Sequence, residues 1–373
     1  MISGGGTGGH IFPALAIAQA IRRHDPTAEL LFVGAEGRME MEKVPAAGFR
    51  IEALPIAGLQ RRLDWRNLVL PFKLLRSLWK ARRLIREFKP QVVVGVGGYA
   101  SGPLLMMAQR MQLPTLIQEQ NSYAGKTNKL LARRARRICV AYEGMEKFFP
   151  ADRLLLTGNP VRADLRQANA LRGEAFAFFE LGPATPTLLL IGGSLGARTL
   201  NQCLRAGLQA LAEQGIQVIW QTGKAFAAEA LLATEPWKKT VRVFDFIRRM
   251  DLAYAAADVV ISRAGALSIA ELCLVAKPCI LVPSPNVAED HQTRNAEALV
   301  GKQAAWLVHD TEAGVKLLPM AIQLLQDPAR QQEMSQRMAA MAKPDADERI
   351  AAEIFALAGL PFEKKNDPLI LTR

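Results

Sequence analysis

The chain has 373 residues, half of them hydrophobic and only 6% aromatic, which excludes a disordered or fibrous protein and favours two domains of ordinary size over one core. Lys and Arg number 47 against 35 acids, a formal charge of +12, which points to anionic partners: nucleic acid, phosphorylated ligands or an acidic membrane surface. Cys139, Cys203, Cys273 and Cys279 form no C-x-x-C pair and the four histidines are scattered, so no metal cluster is expected and the cysteines read as reduced, buried apolar residues. No signal peptide is expected ahead of the first glycine loop, and no apolar run reaches the roughly 18 residues of a membrane span, so a soluble or peripheral protein is expected.

The first element is a strand running into SGGGTGGH, Ser3–His10. Gly4, Gly6 and Gly9 satisfy G-x-G-x-x-G ahead of the helical run IFPALAIAQAIRR, the pattern of a dinucleotide loop. That reading needs an acid at the end of the next strand, ELLFVG, and Glu36 stands there, somewhat late. His10 falls where the loop becomes the helix, whose positive end disfavours imidazolium. A neutral imidazole there is suited to general-base work; the competing reading is a capping or packing residue.

A helical segment follows, LVLPFKLLRSLWKARRLIREFK, with seven Lys or Arg from Lys73 onward and one acid, Glu87. Leu74, Leu78, Ala81, Ile85 and Phe88 line one apolar stripe, and Leu68, Phe72, Leu75 and Trp79 line a second about a third of a turn away. One stripe serves the core. The other, flanked by Arg76, Lys80, Arg82 and Arg83, has the composition of a contact with an anionic membrane surface, to which the basic run Lys126–Arg137 would add. The plain alternative is that both stripes are buried and the charges solvated.

Short apolar runs then alternate with helical patterns: QVVVGVGG, PTLIQEQ and RICVAY join ELLFVGA in the first half, and TLLLIGG, QVIWQTG, VRVFDF, DVVISRAG and PCILVPS form the second. Continuous Val/Ile/Leu strands separated by helices predict parallel sheets covered on both faces, an α/β chain of two doubly wound units. The boundary is placed near Arg162, giving domains 1–162 and 163–345. Glycine-rich loops recur at Gly95–Pro103 and Gly192–Ala197, too many for one dinucleotide. After the strand DVVI, RAGALSIAE at 263–271 presents a helix N-terminus and a hydroxyl suited to a phosphate. Ser268 to Glu271 is equally an S-x-x-E capping box.

GGGTGGH at 4–10, GGYASGP at 97–103, QEQNSYAG at 118–125, GNPVR at 158–162, GGSLGAR at 192–198 and RAGALSIAE at 263–271 resemble, in order, the motif series of the MurG family. These are UDP-N-acetylglucosamine transferases that convert lipid I to lipid II in peptidoglycan synthesis. The resemblance implies a GT-B fold, two Rossmann-like domains facing across a cleft, with a C-terminal helix at about 346–360 packing back on the first. It implies UDP-N-acetylglucosamine as donor, lipid I as acceptor, no cofactor and no metal. It further implies a peripheral enzyme on the cytoplasmic face of the bacterial inner membrane, working among cell-wall synthesis and division proteins.

By position, the resemblance makes His10 the catalytic base, inverting an α donor to a β1,4 linkage. Ile247 would contact uracil, and Ala266, Leu267, Ser268, Ile269, Ala270 and Glu271 would hold diphosphate and ribose. Ser194 and Arg162 would lie near the phosphates, Gln292 and Asn121 would read sugar hydroxyls with Thr7, Gly8 and Gly9 close by, and Gly98, Tyr99 and Ser101 would take the acceptor diphosphate. Phe72, Leu75, Trp79, Leu68, Lys80 and Arg83 would form the membrane contact. The one Asp-x-Asp pair, Asp345-Ala346-Asp347, reads as a solvated linker. Two departures stand out: only about two residues precede the first glycine loop, so that either the true start lies upstream of Met1 or the sheet edge is weak, and Gly37 stands where some members carry a carboxylate assisting the base, leaving Glu36 or Glu40 in that part. Nucleic acid is not an expected partner, because the basic residues lie beside aliphatic stripes rather than interleaved aromatics. Other GT-B enzymes acting on UDP-sugars, a diacylglycerol glycosyltransferase or a UDP-N-acetylglucosamine 2-epimerase, share the fold, and acceptor specificity separates them.

Overall fold

A computed structural model describes residues 1–56, 70–193, 196–287 and 290–363; Leu68 and Ser194 lie outside them. The chain divides into two compact units, Met1–Val161 with Pro344–Arg373, and Arg162–Lys343.

The first unit is built on strands β1 (Ile2–Gly4), β2 (Leu31–Ala35), β3 (Arg50–Leu54), β4 (Val93–Gly97), β5 (Thr115–Glu119), β6 (Arg137–Val140) and β7 (Leu154–Leu156). They pair in the order β3-β2-β1-β4-β5-β6-β7, each pair parallel. Connecting them are α1 (Gly8–His24), α2 (Glu40–Ala46), α3 (Leu70–Phe88), α4 (Ser101–Arg110) and α5 (Lys126–Ala132). Alternate strand residues feed opposite cores: Val33, Val93, Ile117 and Ile138 on one face, Phe32, Val94, Leu116 and Cys139 on the other. Covering both faces is what makes the strands read as unbroken apolar runs. Short as it is, β1 sits between β2 and β4 in the middle of the sheet. The weak edge expected there is absent because the neighbours on both sides complete its ladder.

The second unit repeats the plan with β8 (Thr187–Ile191), β9 (Gln217–Gln221), β10 (Val241–Phe244), β11 (Val259–Ser262), β12 (Cys279–Leu281) and β13 (Trp306–Leu307), ordered β10-β9-β8-β11-β12-β13. Leu189, Ile191, Ile219 and Val260 face one core; Leu188, Leu190, Val218 and Ile261 face the other. All four cysteines are free and buried, and burial pushes the Cys139 thiol up to about 12.

Asp345-Ala346-Asp347 is not a solvated linker. It opens the helix Ala346–Ala358, whose Ile350, Ala351, Ile354 and Phe355 join the core around α1. Asp347 is buried and bonded to Arg23 Nη2 at 2.6 Å, and the half-buried Glu348 bonds the same nitrogen at 2.6 Å; Glu348 also takes His24 Nε2. Burial alone raises the Glu348 carboxyl, but Arg23 and His24 outweigh it and hold it below its ordinary range. An apolar stripe and a charge-assisted latch therefore dock this helix on α1.

In α3 the two apolar stripes part company. Ala81 and Ile85 of the first are buried together with Leu84; Leu78 and Phe88 are half-buried and Leu74 is exposed, whereas Phe72 is 68%, Leu75 55% and Trp79 71% exposed. The reading that buries both stripes is thereby overturned. Lys80 is half-buried, and the exposed Arg83 pairs with Glu87 at 2.6 Å.

Replacing Arg23 by Ala removes the 2.6 Å ion pair from the buried Asp347 carboxylate. The expected loss is about 2 kcal/mol, less than for a fully buried pair because solvent screens the partly exposed guanidinium. Urea unfolding at neutral pH measures it. Since the folded-state value of Glu348 is depressed, its contribution is present above the ordinary glutamate range and lost as pH falls through that depressed value, so the gap between variant and wild type narrows in acid.

Candidate active site

In each sheet the strand order reverses at one point, between β1 and β4 in the first and between β8 and β11 in the second. Ligands of open α/β sheets gather at the carboxyl ends of the strands there. The glycine loops follow β1, β4, β8 and β11, so all four stand at these two points.

In the first unit Gly4–Thr7 leads into α1, where Thr7 is the extended N-cap residue, makes no side-chain cap and is followed by no acid in the first turn. The first N–H groups of such a helix suit an anion. Thr7 and Gly9 are exposed, Gly8 and His10 half-buried. His10 Nδ1 lies 3.0 Å from Gly5 O and 3.4 Å from Thr7 Oγ1. A carbonyl only accepts, so Nδ1 carries the hydrogen and a neutral ring keeps its lone pair on Nε2. On the other side of the ring lies Gly97, with φ +101°; a Cβ there would fall 2.6 Å from His10 Cδ2 and 2.7 Å from Nε2. The last residue of β4 thus has to be glycine both for its backbone and for the imidazole.

Gly98 and the exposed Tyr99 continue that loop. Ser101 departs from expectation: it is buried, and its hydroxyl is shared between Ser3 O at 2.9 Å and Gly97 O at 2.8 Å. It joins the two loops, and its side chain is not presented to a diphosphate. Asn121 is tied by N and Nδ2 to Glu119 Oε1, at 3.1 and 3.3 Å. The other Glu119 oxygen takes Gly125 N and Asn128 Nδ2. This buried acid organises the loop after β5, and sequence reasoning passed over it; its signal is a carboxylate closing an otherwise unbroken strand run. Asn159 of GNPVR is bonded to Gln118 and to Gln120 O, which makes it a brace of the same strand end.

In the second unit, the helix Ala266–Val275 follows β11 with Gly265 as an extended N-cap residue and no side-chain cap. Ser268 therefore lies inside the first turn, and the capping box is overturned because the helix starts three residues earlier than that motif requires. Leu267, Ser268, Ala270 and Glu271 are half-buried, Ala266 and Ile269 buried. Glu271 Oε2 accepts from Tyr254 Oη at 3.0 Å, and Arg162 Nε stands 3.9 Å from Glu271 Oε1. Burial raises the Glu271 carboxyl, with Arg162 and Tyr254 opposing. Arg162, Tyr254 and Glu271 thus form one cluster beside the helix N-terminus; the fully buried Tyr254 had no sequence signal.

Ile247 corrects another expectation. Its side chain is in the core, and its N–H donates to Gln221 Oε1 at 3.0 Å, so the exposed apolar side chain of that turn is Phe246. Gln292 Oε1 accepts from Ser284 N at 2.8 Å, which turns its Nε2 end the other way. Arg263 is committed to Val282 O, Pro283 O and Asp310, and braces the strand ends.

Two parallel, doubly wound sheets with glycine loops at both switch points are the GT-B fold of sugar-transferring enzymes. The chain belongs to glycosyltransferase family 28: that family's N-terminal domain matches residues 1–140 and its C-terminal domain residues 187–350. It is 58% identical over 361 residues to the "UDP-N-acetylglucosamine--N-acetylmuramyl-(pentapeptide) pyrophosphoryl-undecaprenol N-acetylglucosamine transferase" of Bacteroides fragilis, covering 96% of this chain and 95% of the relative. The like-named protein of Flavobacterium psychrophilum is 49% identical over 96% of this chain and 97% of its own. Among solved structures, Acinetobacter baumannii MurG matches with TM-score 0.77 and 30% identity, covering 95% of this chain and 98% of that one. A UDP-N-acetylglucosamine 2-epimerase matches with TM-score 0.65 at 13% identity, covering 98% and 97%, a likeness of fold alone.

Gly97→Ala is expected to fold with a loss of about 1–3 kcal/mol from backbone strain and to push the imidazole off Gly5 O. Thermal unfolding and an imidazole 15N spectrum read the two effects.

Proposed function

We propose that the chain transfers N-acetylglucosamine from UDP-N-acetylglucosamine to the C4 hydroxyl of the muramyl sugar of lipid I, with inversion, giving lipid II. The observation that carries the reading is His10: a half-buried imidazole at an anion-suited loop, its Nδ1 bonded to Gly5 O, which puts the lone pair of the neutral ring on Nε2. The names borne by full-length relatives support it.

In this account the acceptor diphosphate lies against Thr7, Gly8 and Gly9 at the start of α1 and along Gly98 and Tyr99. The donor diphosphate lies on the first turn of Ala266–Val275 with Arg162 beside it. Glu271, oriented by Tyr254, takes ribose hydroxyls through its remaining lone pairs, while Gln292 Nε2 and the Asn121 amide address the sugars. As the C4 oxygen attacks the anomeric carbon, its proton passes to His10 Nε2 and the glycosidic bond to UDP breaks. The leaving diphosphate's charge is met by helix N–H groups and Arg162.

Acceptor-dependent UDP release with a short-chain lipid I analogue, and a product heavier by one N-acetylhexosamine, test the reaction. His10→Ala should lower kcat by about 10²- to 10⁴-fold, the usual worth of a general base. Release of UDP without acceptor would favour a 2-epimerase-like activity instead.

We further infer that the enzyme is peripheral on an anionic membrane, at its cytoplasmic face. No described helix is long and apolar enough to span a bilayer. The exposed Phe72, Leu75 and Trp79 stand on a helix that also carries Lys73, Arg76, Lys80, Arg82, Arg83 and Arg86. Within the same unit, an open groove of about 1030 Å³ is lined by Arg110, Arg133, Arg134, Arg136, Arg137 and Arg153. Apolar anchors with cations around them bind anionic lipid surfaces. Flotation with anionic vesicles should be lost in the double variant Phe72→Ser, Trp79→Ser with transfer to a water-soluble acceptor intact; undiminished flotation counts against this surface.

A further inference from the structure

Between His10 and the buried carboxylate of Glu40 lies one peptide group, bonded at both ends. Its carbonyl, Gly5 O, accepts from His10 Nδ1 at 3.0 Å. Its N–H, on Gly6, donates to Glu40 Oε2 at 2.8 Å. The second carboxylate oxygen accepts from Ala35 N at 3.0 Å, and the Glu40 side chain, at the start of α2, is only 1% exposed. Of the two acids available to assist the base, Glu36 is exposed, and its N–H serves the sheet through Leu54 O. The fold makes room for Glu40 at the loop itself: a Cβ on Gly5 would fall 2.1 Å from Glu40 Oε1.

The two halves of a peptide share one delocalised system. A carboxylate that accepts from the N–H shifts electron density toward the carbonyl, and hydrogen bonds in series strengthen one another, more so when a member is charged. A carboxylate bound directly to a catalytic imidazole fixes its tautomer and steadies the imidazolium; here the same influence has to cross an amide.

We propose that Glu40 is the positioning residue of His10, acting through the Gly5–Gly6 peptide to hold the hydrogen on Nδ1 and raise the basicity of Nε2; its catalytic consequence rests on His10 being the base of the transfer. When Nε2 takes the acceptor proton, the ring becomes imidazolium and the Nδ1–H bond to Gly5 O tightens. The Glu40 charge compensates through the amide. No proton leaves Nδ1 and none reaches Glu40, which separates this arrangement from a proton relay.

The full-length protein, labelled with 15N at its four histidines, provides the test without substrate. In the wild type, His10 is expected in the Nδ1–H form with a downfield, slowly exchanging ring proton; the Nε2–H form would overturn the proposal. In Glu40→Gln an amide NH2 replaces one acceptor oxygen, so either Gly6 N–H or Ala35 N–H faces a donor. The ring proton should then move upfield and kcat fall about 10- to 100-fold, the scale of losing an orienting partner, with KM for UDP-N-acetylglucosamine within about twofold because the donor site is untouched. A loss of kcat with the ring proton unmoved would make Glu40 merely structural and overturn the proposal, as would no change in either. Should the variant not fold, the wild-type tautomer still decides. Failure of His10 as the base shows separately, as acceptor-dependent transfer that survives His10→Ala, and failure of the transfer reading as UDP release that needs no acceptor.

Discussion

A parallel strand that ends at a switch point has its last backbone groups turned toward no ladder partner, and in a buried position each must find one. The strand ends of the first unit show how that need is met. At the end of β1 the Gly5–Gly6 amide is satisfied by a histidine on one side and a glutamate on the other. At the end of β4 the Ser101 hydroxyl takes Gly97 O and Ser3 O, binding that loop to the first. At the end of β5 a single carboxylate, Glu119, gathers four N–H groups. The loops keep their form through buried side chains reaching beneath them, which leaves the helix starts above them open to an anion.

The division between what could and could not be read in the sequence follows the same line. Strands such as TLLLI and LFVGA were legible because both faces are buried and no polar residue interrupts them. The glycine loops were legible because a strand, a glycine and a helix in that order have few other uses. His10 could be placed at a helix start but not given a tautomer, since that depends on which atom faces Gly5 O. Glu40 could be named beside Glu36 but not chosen over it, because its partner Gly6 is distant in the chain, and Tyr254 escaped because nothing local ties it to Glu271. Ser268 and Asp345–Asp347 misled for the opposite reason. Each has a local pattern with a ready meaning, a capping box and a polar linker, and the tertiary setting gave it another.

The charge of the chain shows the same separation by surface. Where arginines meet acids near the core they act as braces, as Arg263 does with Asp310 and Arg23 with Asp347. The surplus that makes the protein basic is seen instead around α3 and the arginine-lined groove of the first unit. That concentration gives the net charge a direction, and the exposed Phe72 and Trp79 give it something apolar to press into a surface.

The docking of the helix Ala346–Ala358 on α1 also bears on how the molecule is made. Its Ile350, Ile354 and Phe355 close a core whose other members come from the beginning of the chain, yet Arg162–Lys343 are translated in between. At about 5–20 residues per second the ribosome takes roughly ten to forty seconds to deliver the missing helix. During that interval the α1 face of the first unit has its sheet but not its cover, so the first unit to emerge is the last to be completed. Arg23 and His24, waiting at the end of α1, then mark where the late helix must settle.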